Sequence, residues 1–457
     1  MSDALLTELA AGLSADALSA DPRELQAARA DRSGQAAEGM PLAIVHAASV
    51  EDVQHVMRVA QAHRVPVVPR GAGTGLAGGA NAGAGMISLS LARMRRVLEI
   101  NPADQLAVVE PGILNAELNE QLAAHGFWWA PDPASRAIST VGGNIATNAG
   151  GLLCAKYGVT REAVLGLDVV VPGGELLRLG HRTVKGVTGY DLTALMVGSE
   201  GTLGVVVGAT LKLRPLVPGG LWTIGAEFAD VQSAAAACAA ITAASIRPAV
   251  MELIGPTSLR ILSDYLGIDM RGAFVLVQTD DNDGEQTARA AAAVLTEHGA
   301  RVELTDDLAR AQHLAEVRRQ MMPAKEAAGN VLVEDVSVPR SRMAEMFAAC
   351  DEIGARHGVT VAAIAHAGDG NLHPSFIYQE EAPGPEIWAA ANDIFTTALA
   401  LGGTLTGEHG VGTLKSRWLR DELGDVQYRL QQRIRAAFDP HGIMNPGKVF
   451  GGSADQS

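Results

Sequence analysis

The sequence predicts an α+β fold divided between two domains, and three observations carry that expectation. The chain has 457 residues, whereas one hydrophobic core stops growing at roughly 250–300 residues. Its first half mixes helical segments with short β-like runs and many glycine-rich loops. After Arg214-Pro215 the pattern changes to alanine-rich helices alternating with short apolar runs, which places a boundary near Leu216 and domains over 1–215 and 216–457.

The elements follow in order. Met1 to Ala20 reads as a short amphipathic helix; it contains Asp3, Glu8 and Asp16 and no basic residue, unlike the charged start of a secretory signal. A strand over Ala43 to His46 precedes a helix from Ser49 to His63, whose start is marked by Ser49, Glu51 and Asp52. A second strand, Pro66 to Pro69, runs into glycines, and further strands are expected at Met86 to Leu89, Leu106 to Val109, Val164 to Val171 and Val205 to Leu213. In the second domain, helices over Asp230 to Ala244 and Glu285 to His298 alternate with β-like runs at Gly220 to Phe228, Ala273 to Gln278 and Thr360 to Ala365. Alanine suits the helices because it has the best helix propensity. A frayed tail is expected from Gly451.

Composition excludes several functions. A 47% hydrophobic, 19% charged chain is globular, and a net charge of −15 opposes attraction to a phosphate backbone, so nucleic acid is not an expected partner. No run reaches the roughly 18 consecutive apolar residues of a spanning helix. Cys154, Cys238 and Cys350 are scattered without C-x-x-C spacing, which argues against an iron–sulfur cluster or a disulfide framework and suits a reducing cytosol. The expected location is cytoplasmic, with any membrane contact peripheral, at the inner face.

Pro69-Arg70-Gly71-Ala72-Gly73-Thr74-Gly75-Leu76 follows a predicted strand. Glycines there permit positive φ and bring backbone N–H groups close to a phosphate. A lone match of this kind is a plain tight turn about as often as a binding loop. It is also a poor dinucleotide fingerprint, because Glu99 is badly placed to hold a ribose. Two more glycine-dense segments strengthen it: Pro131-Asp132-Pro133 with Ser139-Thr140-Val141-Gly142-Gly143-Asn144 through Gly151, and Thr188 to Leu192 with Gly198 to Val205. Three such loops suit a long, extended ligand.

These segments resemble the FAD-binding domain of the vanillyl-alcohol oxidase and p-cresol methylhydroxylase superfamily. The resemblance implies a two-part FAD-binding domain in which the first loop wraps the pyrophosphate and the others line the adenosine and flavin. It assigns cofactor contacts to Pro69, Arg70, Gly71, Ala72, Gly73, Thr74, Gly75 and Leu76, then to Pro131, Ser139, Thr140, Gly142, Gly143, Asn144, Ala146 and Gly150, and to Glu200, Gly201, Gly204 and Val205. Members that attach FAD covalently often carry a histidine near the first loop. Ala72 to Ala80 has none, so non-covalent FAD is expected.

The second half holds His366-Ala367-Gly368-Asp369-Gly370-Asn371-Leu372-His373, a strong turn signal between β-like runs over Thr360 to Ala365 and Leu372 to Tyr378. A single histidine is more often structural, but a pair flanking one turn favours a metal-ligand pair. Gly407-Glu408-His409-Gly410 follows a helix over about Pro385 to Leu401. Glu408 would complete a His, His, Glu set with open positions, as catalytic divalent sites are built, leaving His409 as a base. The blander alternative is that both residues decorate a glycine loop.

Both segments resemble the C-terminal domain of FAD-linked D-2-hydroxy acid dehydrogenases, with H-x-G-D-G-N-x-H and G-E-H-G intact, and the likeness extends from about Ala43 to Phe450. It implies an α+β cap domain with an antiparallel sheet. By the same resemblance His366, His373 and Glu408 bind a divalent metal, commonly zinc, His409 is the catalytic base, and Asn445-Pro446-Gly447-Lys448 returns to the flavin, with Asn445 a cofactor contact. The family places a substrate-gripping arginine at Arg318-Arg319-Gln320-Met321-Met322; Arg318 is favoured and Arg319 stays open. Hydroxyglutarate enzymes carry a lysine shortly before D-x-S-x-P. Here Val331-Leu332-Val333-Glu334 precedes Asp335, and Pro374 and Ser375 follow His373 as in the lactate and glycolate branch, so a monocarboxylate is expected.

The implied activity is oxidation of a small D-2-hydroxy acid, with D-2-hydroxyglutarate oxidation or a non-catalytic flavin-binding subunit as alternatives, and an NADPH-dependent flavin reductase as a further rival. Without a cysteine cluster, electrons need a separate acceptor: an electron-transfer flavoprotein, a quinone, an iron–sulfur subunit or dioxygen. A homodimer is the base-rate expectation.

Overall fold

The structure is a computed structural model that describes residues 2–217 and 219–451. The tail expected to fray lies, beyond Gly451, outside the described residues. Two compact units form. One contains Met1–Gly150, Gly158–Leu216 and the chain from Glu408 onward; the other contains Gly151–Tyr157 and Val217–Gly407. The chain crosses between them near Leu216, and its last segment, from Glu408 onward, belongs with the first unit.

In the first unit, the helix Ser2–Ala11 is shorter than the sequence suggested. His55 explains the stop. Its Nε2 lies 3.1 Å from the carbonyls of Glu8 and Leu9, and a Cβ on Gly12 would sit 2.4 Å from the same ring. After this break Leu18–Ser19 pairs antiparallel with Ala43–His46. The helix Val50–His63 starts at a capping box, with the Asp52 amide donating to Ser49 Oγ at 3.1 Å and the Ser49 amide to Asp52 Oδ2 at 3.2 Å. It buries Val53, Val56 and Met57 with Leu5 and Leu9 of the first helix. Beneath it Ala43–His46, Ile87–Ser90 and Val67–Arg70 run parallel.

A second sheet in this unit is antiparallel, in the order Val97–Asn101, Leu106–Val109, Val205–Lys212, Val164–Val170, Leu176–Gly180. Glu99 stands on its edge strand and is paired with Arg182.

The second unit is built on an eight-stranded antiparallel sheet. Its order is Arg301–Thr305, Trp222–Phe228, Ala273–Thr279, Val250–Ile254, Thr360–His366, Asn371–Tyr378 and Asn330–Val333, with Val336–Ser337 also pairing along Asn371–Tyr378. One face packs Ile254, Phe274, Leu276 and Ile364 against Leu259 and Leu262, Leu314, and Met321 and Ala324 of three covering helices. Each buried Leu, Ile, Phe or Met side chain among them stabilises the fold by about 1.5–3 kcal/mol. Side chains alternate along strands, so Glu252, two residues from Ile254, and His366, two from Ile364, share this face. His373, directly opposite Ile364, shares it too.

Candidate functional site

The glycine loops lie in the first unit. Val67–Arg70 leads into the first, where Gly73 and Gly78 have φ of 68° and 81°. A Cβ on Gly71 would come 2.4 Å from Thr140 Oγ1, so only glycine lets the first loop reach the second. The Arg70 side chain turns back, its Nη1 and Nη2 each donating at 2.9 Å, to the carbonyls of Ala80 and Ala30. It braces the loop, and any cofactor contact from this position falls to its backbone. In the second loop Thr140 caps the helix Val141–Thr147 by accepting from the Gly143 amide at 3.2 Å. Ser139 Oγ and Asn144 Nδ2 are buried there without a hydrogen-bond partner. Orphaned polar atoms beside a backbone cradle fit a nucleotide cofactor with phosphates and ring heteroatoms.

The third loop and the C-terminal segment close this region. Glu200, at φ 52°, accepts from the amides of Val411 at 2.7 Å and Gly412 at 2.8 Å. Burial pushes its carboxyl up to about 7, opposed by those amides and by nearby Lys415. A Cβ on Gly204 would meet Val169 Cγ1 at 2.6 Å, keeping this loop tight on its sheet. Asn445 is wholly buried and its Nδ2 donates at 2.8 Å to both Gly79 O and Glu200 O, stapling the first loop to the third. Lys448 Nζ donates to Asn81 O at 2.7 Å. These bonds explain why the last segment joins the first unit.

The hairpin Thr360–His366 and Asn371–Tyr378 has the predicted turn, with Ile364 opposite His373 and His366 opposite Asn371. Gly370 has φ 88°, and a Cβ there would lie 2.2 Å from Val338 O. Both imidazoles are buried, edge to face, with ring centroids 4.9 Å apart. The chain arrives at Glu408 from Gly407, whose amide donates to Asp335 Oδ2 at 2.6 Å, while Thr406 Oγ1 donates to Asp335 Oδ1 at 2.9 Å. His366, His373 and Glu408 each offer one ligand atom, all within 4.8 Å of one another. Two imidazoles and a carboxylate suit a divalent cation such as zinc. His409 follows, half-buried.

Arg318 and Arg319 separate clearly. Arg319 points to its own helix, pairing with Glu316 and donating to Gln312 O at 2.7 Å. Arg318 Nε donates to Glu252 Oε2 at 2.8 Å, and Glu252 Oε1 lies 2.6 Å from His366 Nδ1. Burial would raise the Glu252 carboxyl, but His366 and Arg318 hold it below its usual value.

Glu252 and Lys325 were not singled out from sequence. Glu252 is a lone charge in the wholly buried strand Val250–Ile254, and a buried charge demands a partner, which is the signal that would have found it. Lys325, fully enclosed, donates to Ala362 O at 3.1 Å and Ser375 Oγ at 2.9 Å.

Residues 41–180 match the family model described as FAD binding domain, and residues 222–449 match FAD linked oxidases, C-terminal domain. The chain is 37% identical over 428 residues to the glycolate oxidase subunit GlcD of Bacillus subtilis, covering 90% of each chain. It is 33% identical to a D-lactate dehydrogenase of Anaerostipes hadrus, over 90% of this chain and 89% of that one. To a D-2-hydroxyglutarate dehydrogenase of Stutzerimonas stutzeri it is 31% identical, over 90% and 91%. The solved structure of p-cresol methylhydroxylase matches with a TM-score of 0.79 at 17% identity, covering 98% of this chain and 97% of that one, a likeness of fold. The chain therefore belongs to the FAD-linked oxidases and is an FAD-dependent oxidoreductase of the group that includes glycolate oxidase, D-lactate dehydrogenase and D-2-hydroxyglutarate dehydrogenase.

Proposed function

We propose that the protein oxidises a small D-2-hydroxy monocarboxylate, of lactate or glycolate size, to the 2-oxo acid. The observation that carries this reading is the donor set of His366, His373 and Glu408 with ligand atoms within 4.8 Å, on the sheet face that also holds Glu252 and its partner Arg318. When bound, FAD supplies the hydride acceptor, and a divalent cation supplies the charge that lowers the pKa of a substrate hydroxyl by several units.

The chain's own residues do the rest. Arg318 grips the substrate carboxylate through its Nη groups, which make no hydrogen bond among the described residues; its Nε is already held by Glu252. His409 takes the hydroxyl proton on an imidazole nitrogen as the C2 hydride leaves. The glycine loops, braced by Arg70, Glu200 and Asn445, hold the cofactor without a covalent link. Val331-Leu332-Val333-Glu334, just before Asp335, contains no lysine for a second carboxylate, which supports a monocarboxylate.

Electrons leave through a separate acceptor; Cys154, Cys238 and Cys350 lack the C-x-x-C spacing of an internal iron–sulfur relay, which supports this reading. The naming of relatives as oxidase subunits supports a companion protein in that role. The test is anaerobic: purified protein is mixed with D-lactate, glycolate, D-2-hydroxyglutarate or NADPH while the visible absorbance of the flavin is followed. Rapid bleaching by D-lactate or glycolate is expected. Bleaching by the diacid alone transfers the reading to hydroxyglutarate, by NADPH alone to a reductase, and by none of them to a non-catalytic subunit.

A further inference from the structure

Glu252 stands where two functions of the proposed site meet. It is 1% exposed, and each of its carboxylate oxygens has a separate partner: Oε1 lies 2.6 Å from His366 Nδ1, and Oε2 accepts from Arg318 Nε at 2.8 Å. The first contact is fixed by sheet register, since Glu252 and His366 are directly opposite on neighbouring antiparallel strands. An imidazole has two nitrogens, and a carboxylate on one of them selects the tautomer and turns the other outward. A guanidinium has two usable edges. A carboxylate on its Nε side leaves the paired Nη groups for a second, two-pronged bond.

We propose that Glu252 is a positioning residue that sets both halves of the site at once: it presents His366 Nε2 to the cation and the Nη edge of Arg318 to the substrate carboxylate. The inference rests on the metal and clamp roles read above and adds that they are joined through one carboxylate. It distinguishes this carboxylate from a buried ion pair that only supports the fold, because a merely structural pair has no reason to tune metal affinity and substrate binding together.

The test compares wild type with Glu252→Gln and Arg318→Gln, each FAD-loaded and stripped of metal. Glutamine keeps the shape of Glu252 but replaces one oxygen by NH₂: facing His366 Nδ1 it bonds only by donating to the other tautomer, and facing Arg318 Nε, which cannot accept, it loses the bond. Zinc alone is titrated in competition with a chromophoric chelator, and KM for the 2-hydroxy acid is measured at saturating zinc. Glu252→Gln is expected to weaken zinc by about 10- to 100-fold, the scale of losing such an outer partner, and to raise KM by about 10-fold, the scale of one charge-assisted contact. Arg318→Gln, at a partly exposed position, is expected to weaken zinc by about 3-fold or more although it is no ligand, because both act through Glu252. Thermal unfolding of the zinc-free proteins reports folding independently, and Arg318→Gln carries the test if Glu252→Gln does not fold. Zinc affinity within two-fold of wild type in both variants overturns the inference and leaves the metal site standing. Wild type that takes up no zinc overturns the metal reading beneath it as well.

Discussion

Lys325 is an amine enclosed on every side, hydrogen-bonded only to neutral groups, Ala362 O and Ser375 Oγ. Burial, with Arg318 adding to it, pushes its pKa down from 10.5 to about 7. Between those two values the unfolded chain holds a proton that the native state has released, so native stability rises with pH across that window. Each pH unit there is worth about 1.4 kcal/mol. Urea denaturation at pH 7 and pH 9 should therefore show wild type gaining about 2 kcal/mol on Lys325→Met, and parallel pH dependence in the two proteins would remove the charge argument. His409 has a different task. His409→Ala is expected to keep FAD and zinc while slowing substrate-driven flavin reduction by about 100-fold or more, the scale of general-base catalysis. Stopped-flow reduction checks it, and an unchanged rate would return His409 to the glycine loop as decoration. His409 was singled out from its motif. Lys325 was not, because nothing in Met321–Ala328 distinguishes an enclosed lysine from one on a solvated helix face.

At the scale of elements, local signals served well wherever the cause was local. Ser49 and Asp52 announce their helix because the capping box needs only four adjacent residues, and Gly368 to Asn371 announces a turn because only a few residue types accept its backbone. The first helix was read too long because its terminator, His55, lies about 45 residues away in sequence and acts on carbonyls. The hairpin makes the element-scale prediction. Gly370 holds φ 88° with Val338 O where a side chain would begin, so Gly370→Ala should distort the turn between the two histidines. Zinc affinity is expected to fall by about 10-fold or more while FAD content, which depends on the other unit, stays at the wild-type level. Equal loss of both would mean general misfolding instead.

At the scale of the whole molecule, no helix among the described residues is long and apolar enough to cross a membrane. The chain leaves the first unit near Leu216, builds the eight-stranded sheet, and returns from Glu408 onward to brace the loops it left. Asn445 makes that return testable, since it reaches Gly79 and Glu200 from 366 and 245 residues away. Asn445→Ala removes two buried hydrogen bonds, each worth about 1 kcal/mol. It should weaken FAD retention by about 10-fold in a desalting or dilution assay, and full retention would show that the loops hold their shape unaided. The sequence by itself determined the α+β class, most strands and helices, the three glycine loops and the histidine, glutamate and arginine motifs, because periodicity, turn chemistry and residue spacing are properties of neighbours. Only the tertiary structure decided that Arg318 pairs with Glu252 while Arg319 turns back on its own helix, that Arg70 braces its loop, and that Glu252 links Arg318 to His366. Those outcomes depend on burial and strand register, which bring charges from remote parts of the chain to within about 3 Å, the length of a hydrogen bond.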